Sequence, residues 1–269
     1  MRLITYNILN PYHAVKWGTA EGLDPRGESN WAAWRRAAVI ENLRGAAADA
    51  LCLQEVSAQT LAELAAALAP DLLVAAHALH DTDEPEGAHG VAVLYRPAAV
   101  ELLAAHTYES GGDPLRVCAA ADLRCRRAGR VVRALSVHLK GYDPSERDPA
   151  RRRASQRAGD AELSSYLAAA LSATDLDASY PVDGVAVAGD FNEDAGELAR
   201  EDSRQGVLRA LGFKWDGVED VTETRTGRKI DWVFYRALTP AGAAPLAHAA
   251  LDQDRAASDH AVTGVDLGG

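Results

Sequence analysis

The sequence predicts an α/β fold in which mixed β-sheets carry helices on their outer faces. Two observations point to it. Short apolar runs with strand character, such as 3-LITYNIL-9, 50-ALCLQEV-56 and 131-VVRALSVHL-139, are numerous, and only a few long helical segments separate them. Some connections are short enough for hairpins and others long enough for crossovers. That combination gives mixed sheets rather than a purely parallel doubly wound one. A third observation bears on domains. No Ser/Gly linker and no short-period repeat divides the 269 residues, although the two halves look broadly alike in layout, so residues 1–269 read as a single domain.

The elements follow in order. Residues 2–8 form a buried strand, and 10–29 a loop rich in Gly, Pro, Asn and charge. Residues 31–48 place Trp34, Ala38, Val39, Ala46 and Ala47 at helical spacing, behind a cap at Ser29 or Asn30. A strand over 50–56 leads to Ser57, which caps a helix to about Leu68. Strands are predicted at 71–77, 91–96, 99–108, 116–125 and 131–139. A polar loop over 140–150 and a helix over 151–171 come next. The strand 184–189, a helix near 203–211, and strands at 230–236 and 261–267 complete the chain.

Composition narrows the function. The net charge of −11 argues against a duplex-DNA grip, which usually shows a basic face. It favours a phosphorylated small molecule or a short single strand of nucleic acid as partner. Abundant Ala, and Arg far in excess of Lys, read as the coding bias of a GC-rich genome. Cys52, Cys118 and Cys125 fit neither a zinc pattern nor a disulfide framework and are expected to be reduced, buried thiols of a cytoplasmic protein. No signal peptide precedes the first strand, no apolar run is long enough to span a bilayer, and nothing calls for an obligate protein partner.

The stretch 186-AVAGDFNEDAGE-197 ends a buried strand in carboxylates and an amide, and other strand ends match it. Asn7 lies in the first strand and Glu55 ends 51-LCLQE-55. His138 sits near the end of 135-LSVHLK-140. Asp190 and Asn192 follow the 184–189 strand, Asp231 opens 230-IDWVFY-235, and Asp259 and His260 precede the last strand. Strand ends converge on one edge of a layered α/β fold. Oxygens of Asn7, Glu55 and Asp259 suit a hard divalent ion such as Mg²⁺, with Mn²⁺ as a substitute. Such an ion polarises a phosphoryl oxygen. Asp190 can take a proton from attacking water while Asn192 holds it in line. His260 can stabilise the phosphoryl oxygens or protonate the leaving group, with Asp231 fixing its tautomer, and His138 supplies a second donor.

The series 5-TYNIL-9, 53-LQEV-56, 136-SVHL-139, 189-GDFN-192, 230-IDWVF-234 and 258-SDH-260 resembles the endonuclease/exonuclease/phosphatase, DNase I-like superfamily of Mg²⁺-dependent phosphoesterases. The resemblance implies a four-layer α/β sandwich with two central sheets. It implies a metal site at Asn7, Glu55 and Asp259, and catalytic roles for His138, Asp190, Asn192, Asp231 and His260. The start of the chain, with 31-WAAWRRAAVIENL-43 and 90-GVAVLYR-96, is similar to the deadenylase and nocturnin-like branch. Leu9 stands where the abasic-site endonucleases carry an acid, and the inositol-phosphatase signature is replaced by 228-RKIDWVF-234.

Substrate specificity points to 140-KGYDPSERDPARRRASQR-157. There Lys140, Arg151 and Arg153 can bind further phosphates and Tyr142 can stack on a base. The competing reading is a solvated helix start whose arginines pair with Asp148, Asp160 and Glu162. Arg124, Arg126, Arg127, Arg130 and Arg133 read as an ordinary polar turn. His77, His80 and His89 match no metal spacing and read as structural or solvent-facing. The expected activity is hydrolysis of a phosphodiester or phosphomonoester of a nucleotide-like or other small phosphorylated substrate. The alternatives are a single-strand-specific RNA or DNA nuclease and, from a different class, a catalytically inactive binding protein on the same fold.

Overall fold

The computed structural model describes residues 1–10, 33–80, 88–111, 116–141, 147–172, 179–194, 203–215, 222, 227–242, 246–248 and 257–267. In chain order its elements are β1 (Arg2–Asn7), α1 (Ala33–Gly45), β2 (Ala50–Ser57), α2 (Ala58–Leu68), β3 (Leu73–His80), β4 (His89–Tyr95), β5 (Val100–Glu109), β6 (Val117–Cys125), β7 (Val131–His138), α3 (Pro149–Ser172), β8 (Gly184–Asp190), α4 (Arg204–Ala210), β9 (Asp231–Ala237), β10 (Leu246–His248) and β11 (Thr263–Leu267). Among the described residues the strands make a six-stranded sheet, order β10-β11-β1-β2-β4-β3, and a five-stranded sheet, order β5-β6-β7-β8-β9. Each sheet has one parallel pair, β1 with β2 and β7 with β8. The remaining pairs are antiparallel.

This topology positions the site. Parallel partners end at the same edge, so Asn7 lies opposite Gln54 and His138 opposite Asp190. Antiparallel β9 begins where β8 ends, which sets Asp231 against Asp190. Antiparallel β11 begins opposite Thr5 near the end of β1, with 258-SDH-260 just before it. Strand direction alone therefore gathers the six polar motifs at one end.

The two sheets pack face to face through small residues. Alternation turns Ala50, Cys52, Ala119, Ala121, Ala134, Ala186 and Ala188 into the space between them. Leu123, Val132, Val233 and Tyr235 fill the rest of that layer, and the alternate residues of the strands point outward. Leu51 and Leu53 meet Val39, Leu43, Leu61 and Leu64 of α1 and α2. Val185, Val187, Trp232 and Phe234 meet Leu163, Tyr166 and Leu208 of α3 and α4. The result is the four-layer sandwich that the resemblance implied.

A polar ladder crosses the central layer. Thr5 donates to Gln54 Oε1 (3.1 Å), Gln54 Nε2 donates to Ser136 Oγ (3.0 Å), and Ser136 Oγ donates to the Leu53 carbonyl (2.9 Å). All three side chains are fully buried, so each needs its partner.

Helix α2 starts as predicted. Ser57 caps it in a reciprocal box with Thr60, and Leu61, Leu64 and Leu68 form its buried stripe. Helix α1 buries Val39 of the expected stripe, with Ala38 packed beside it, and also Arg35, Asn42 and Leu43, which the apolar pattern did not single out. Strand β3 runs three residues further than predicted, and β10 is an addition. Arg133 corrects the polar-turn reading of the basic set. It is buried within β7 and holds Asp122 of β6 through two bonds of 2.7 and 2.8 Å. The three cysteines are buried and unpaired. No helix among the described residues is long and apolar enough to cross a membrane.

Candidate active site

Each catalytic candidate is delivered by a local device. Asn7 is the last residue of β1. Its Oδ1 accepts the Leu9 amide (3.0 Å), and its Nδ2 donates to Glu55 Oε1 and to Asp190 Oδ2, both at 3.1 Å. In this arrangement the amide nitrogen, not the oxygen, faces the carboxylates. Glu55 arrives by breaking the strand period. Alternation after Leu51 and Leu53 would send residue 55 out to the helices. A bulge between Gln54 and Val56 makes Glu55 the extra residue, held at φ 60°. Val56 then resumes the outward stripe and Glu55 is free to turn into the site. Its Oε2 accepts the Asn10 amide at 2.7 Å, which leaves Oε1 toward the centre.

The GDFN turn is built around close contacts. A Cβ on Gly189 would lie 1.9 Å from the Val137 carbonyl oxygen of the neighbouring strand. Asp190 Oδ1 accepts the Asn192 amide (2.7 Å) in a local turn, with Asn192 at φ 51°. The Asn192 side chain donates to the Leu139 carbonyl (3.1 Å), tying GDFN to the loop that follows His138. A Cβ on Gly141 would come within 2.6 Å of that Asn192 side chain.

Asp190 Oδ2 occupies the middle. It lies 3.7 Å from His138 Nε2 and 3.8 Å from His260 Nε2. His138 Nε2 is 4.0 Å from Glu55 Oε1. His260 Nδ1 bonds Asp231 Oδ2 at 2.8 Å, and its Nε2 lies 3.7 Å from Asp259 Oδ1. The SDH turn is pinned by Ser258, which donates to the Asn7 carbonyl (2.8 Å) and accepts the His260 amide (3.1 Å). Thr222 Oγ1 accepts the amides of Ile230 and Asp231, each at 3.0 Å.

Burial sets the electrostatics. It raises the Asp190 carboxyl to about 7, with the neighbouring charge of Asp231 adding to the effect. Burial opposes charge on His260, but the carboxylates of Asp231, Asp259 and Asp190 outweigh it and hold the imidazolium well above its ordinary value. Four buried carboxylates, Glu55, Asp190, Asp231 and Asp259, share this end with two imidazoles. Ligand-type atoms of Asp190, Asp231 and His260 lie within 4.8 Å of one another, and Asp231 Oδ1 is buried with no hydrogen-bond partner among the described residues. Concentrated oxygen donors of this kind fit a hard divalent cation.

The structure thus brings together Asn7, Glu55, His138, Asp190, Asn192, Asp231, Asp259 and His260. It does not bring Arg151 or Arg153 to them. Both are exposed on the first turn of α3, where Arg151 approaches Asp148 at 3.9 Å. Lys140 is half-buried, and its amide donates to Glu162 (2.7 Å). Asp160 pairs with Arg204 (3.1 Å), while the exposed arginines and the Arg151–Asp148 approach follow the solvated-helix reading. Tyr142 lies outside the described residues. His77 is exposed, while His80 and His89 pack as a buried pair, ring centroids 5.0 Å apart.

Sequence reasoning missed the supports. Arg35 of α1 donates to the carbonyls of Ile8 and Leu9, beside Asn7, and to that of Ala257 (2.9 Å), beside SDH. Arg204 of α4 does the same for GDFN. Thr222 carries no motif. Only the Arg35 position had a signal, a charge where the helical period wanted an apolar residue.

Comparison with known proteins agrees with the geometry. The model of the Endonuclease/Exonuclease/phosphatase family matches residues 4–260. No curated protein matches by sequence. Among solved structures, ANGEL2, a 2′,3′-cyclic phosphatase in complex with adenosine-2′,3′-vanadate, superposes with TM-score 0.69 at 18% identity, covering 98% of this chain and 94% of that one. A mannosyl-6-phosphatase of Bacteroides thetaiotaomicron VPI-5482, Bt3783, gives 0.65 at 16%, covering 99% of each chain. The human Nocturnin catalytic domain with bound sulfate gives 0.56 at 19%, covering 99% of this chain and 93% of that one.

Proposed function

This chain belongs to the endonuclease/exonuclease/phosphatase family and is a hydrolase of phosphoester bonds, and on that premise we propose that it is a Mg²⁺-dependent phosphoesterase of small, nucleotide-like phosphorylated substrates, acting by in-line attack of water. One observation carries the reading: a single carboxylate oxygen, Asp190 Oδ2, sits within 3.8 Å of two imidazole nitrogens at a buried edge. This supports Asp190 as a base set between two donors, an arrangement suited to displacement at phosphorus.

Glu55 and Asp259 would hold Mg²⁺, or Mn²⁺ in its place, and Asn7 would join them only with its amide turned to present Oδ1, since here Nδ2 faces the carboxylates. When bound, the ion neutralises charge on a phosphoryl oxygen. The chain's own groups do the rest. Asp190 accepts the proton of the attacking water, and the turn through Asn192 fixes its Oδ1 so that Oδ2 faces the reacting centre. His260, held protonated against Asp231, donates from Nε2 to the phosphoryl oxygens or the leaving group. His138 adds a second N–H from the open side, where its side chain keeps 11% exposure.

The net charge of −11 supports a small substrate over a long polyanion. The test is a panel with Mg²⁺, Mn²⁺ or EDTA. It contains p-nitrophenyl phosphate and its diester, nucleoside monophosphates, dinucleotides, 2′,3′-cyclic nucleotides, sugar phosphates and single-stranded oligonucleotides, scored by product mass. Turnover of a small ester that EDTA abolishes and that Asp190→Ala and His260→Ala lose by at least ~10²-fold is expected. Shortened oligonucleotides with small esters intact would make it a single-strand nuclease instead. No turnover of any member would leave a binding protein.

A further inference from the structure

We propose that Arg204 is a positioning residue that holds the GDFN turn and the loop after His138 in one register. The inference rests on the proposed phosphoesterase reading for its kinetic arm only. Arg204 begins α4 and is 2% exposed. Its Nη1 donates to the carbonyl of Phe191, the residue between Asp190 and Asn192. Its Nη2 donates to the carbonyls of Lys140 (2.9 Å), two residues beyond His138, and Gln156 (3.1 Å) of α3. Its Nε bonds Asp160 Oδ1 at 3.1 Å. Its own amide donates to Glu193 Oε2 at 2.7 Å, on the far side of the same turn. One guanidinium thus fastens three backbone segments, two of which end in catalytic candidates. The planar fork can do this because its donors are fixed in direction. A lysine ammonium is a point charge on a flexible stem and cannot reach all four acceptors.

A second observation comes from α3. Gly159 stands mid-helix, where glycine is unfavourable, and its φ is ordinary. The reason is Arg204 together with the loop it holds: a Cβ at 159 would lie 2.0 Å from Nη2, 2.5 Å from Cζ and 2.7 Å from the Lys140 carbonyl oxygen. The helix gives up a side chain to let the guanidinium lie against its backbone. On helix propensity alone Gly159→Ala should stabilise the protein. If the lock matters, the same substitution should displace Arg204 and disturb GDFN without changing any charge.

The experiment compares Arg204→Lys, Gly159→Ala and, as a matched buried arginine remote from the site, Arg133→Lys. The activity-independent arm is amide hydrogen exchange of segments 138–141 and 186–194. Both should exchange at least ~10-fold faster in Arg204→Lys and Gly159→Ala and stay unchanged in Arg133→Lys. The kinetic arm is p-nitrophenyl ester turnover with Mg²⁺. A catalytic group displaced by about 1 Å costs roughly 10²-fold, so kcat should fall ~10- to 100-fold with KM within ~3-fold in the first two variants only. Wild-type kcat and exchange in Arg204→Lys, or an equal loss of kcat in Arg133→Lys, would overturn the proposal. Should Arg204→Lys fail to fold, segment 186–194 of Gly159→Ala decides, because the new methyl would press on the Lys140 carbonyl whether or not Arg204 moves: faster exchange of 186–194 supports the lock, and native exchange there overturns it. A wild type that turns over no ester removes the function reading and leaves the exchange arm to decide the positioning role.

Discussion

Replacing Asp231 with asparagine should move two neighbouring titrations in the same direction. The substitution keeps the shape and an oxygen acceptor for the His260 Nδ1 proton and removes the charge. In the native site that carboxylate lies 2.8 Å from Nδ1, with both groups buried. A hydrogen bond to a charged group is worth about 1.5–3 kcal/mol net. The imidazolium keeps a bond to the asparagine oxygen but loses the attraction of a full charge, so its pKa falls. Asp190 falls as well, because the charge of Asp231 helps burial hold it up near 7. One group loses an attraction and the other a repulsion.

The assay is NMR titration of the His260 ring nitrogens and the Asp190 carboxyl carbon in metal-free protein. Stability follows by linkage. The raised folded pKa of His260 contributes stability that is complete below its unfolded value and is lost as pH rises through the folded one. Relief of Asp190, whose raised pKa is a cost at high pH, works the same way. The deficit of Asp231→Asn in urea unfolding should thus be largest in acid and shrink as pH rises. An unmoved His260, or shifts of opposite sign in the two groups, would refute the reasoning.

Three further outcomes are expected. Gly189→Ala should cost about 1–3 kcal/mol by urea denaturation, since its methyl would meet the Val137 carbonyl at 1.9 Å and a strand must shift; an unchanged midpoint would show that the parallel pair yields freely. Gln54→Leu should cost about 1–3 kcal/mol by stripping partners from Thr5 and Ser136, with KM little altered; a loss below about 0.5 kcal/mol would remove the ladder from the account. Asp122→Asn should lower neutral-pH stability by about 3–5 kcal/mol by leaving Arg133 buried without its counter-charge. Burial pushes Asp122 up, but its bonds to Arg133 and His106 outweigh this and bring it to about 2. Its contribution is therefore present above the ordinary carboxylate value and lost as pH falls toward 2, so the gap between variant and wild type should close over that window.

Strands were legible because their apolar runs are long and their ends carry unusual polar residues. Residues 50–56 and 131–139 show this best, and the described strands fall within three residues of the expected limits. The catalytic candidates were legible for a related reason. GDFN, LQE and SDH each place a carboxylate directly beside apolar strand residues, where an ordinary fold would rarely bury one. Strand β10 was not legible, being three residues long and thus too short to show a period. Arg35 on the inward face of α1 was missed because it looks solvent-facing by type, and backbone carbonyls from two distant turns make its burial tolerable. Arg133 was misread likewise: its partner Asp122 is eleven residues away in sequence and directly opposite across β6 and β7.

What the sequence determined by itself is the list of chemical groups and the direction in which each strand delivers them. Those depend on local pattern, apolar period and the residues at its end, and local pattern survives in a one-dimensional string. Tertiary structure decided which way those groups face. Glu55 enters the site because a bulge at φ 60° cancels the alternation that would have sent it to the helices. The Asp190 carboxyl is raised because it is buried and faces Asp231, which the fold brings to it from another strand along with the two imidazoles. Arg204 and Gly159 are paired only because α3 and α4 lie against the same turn. Each of these is a short-range interaction between residues distant in sequence, and its energy depends on separations that only the packed chain defines.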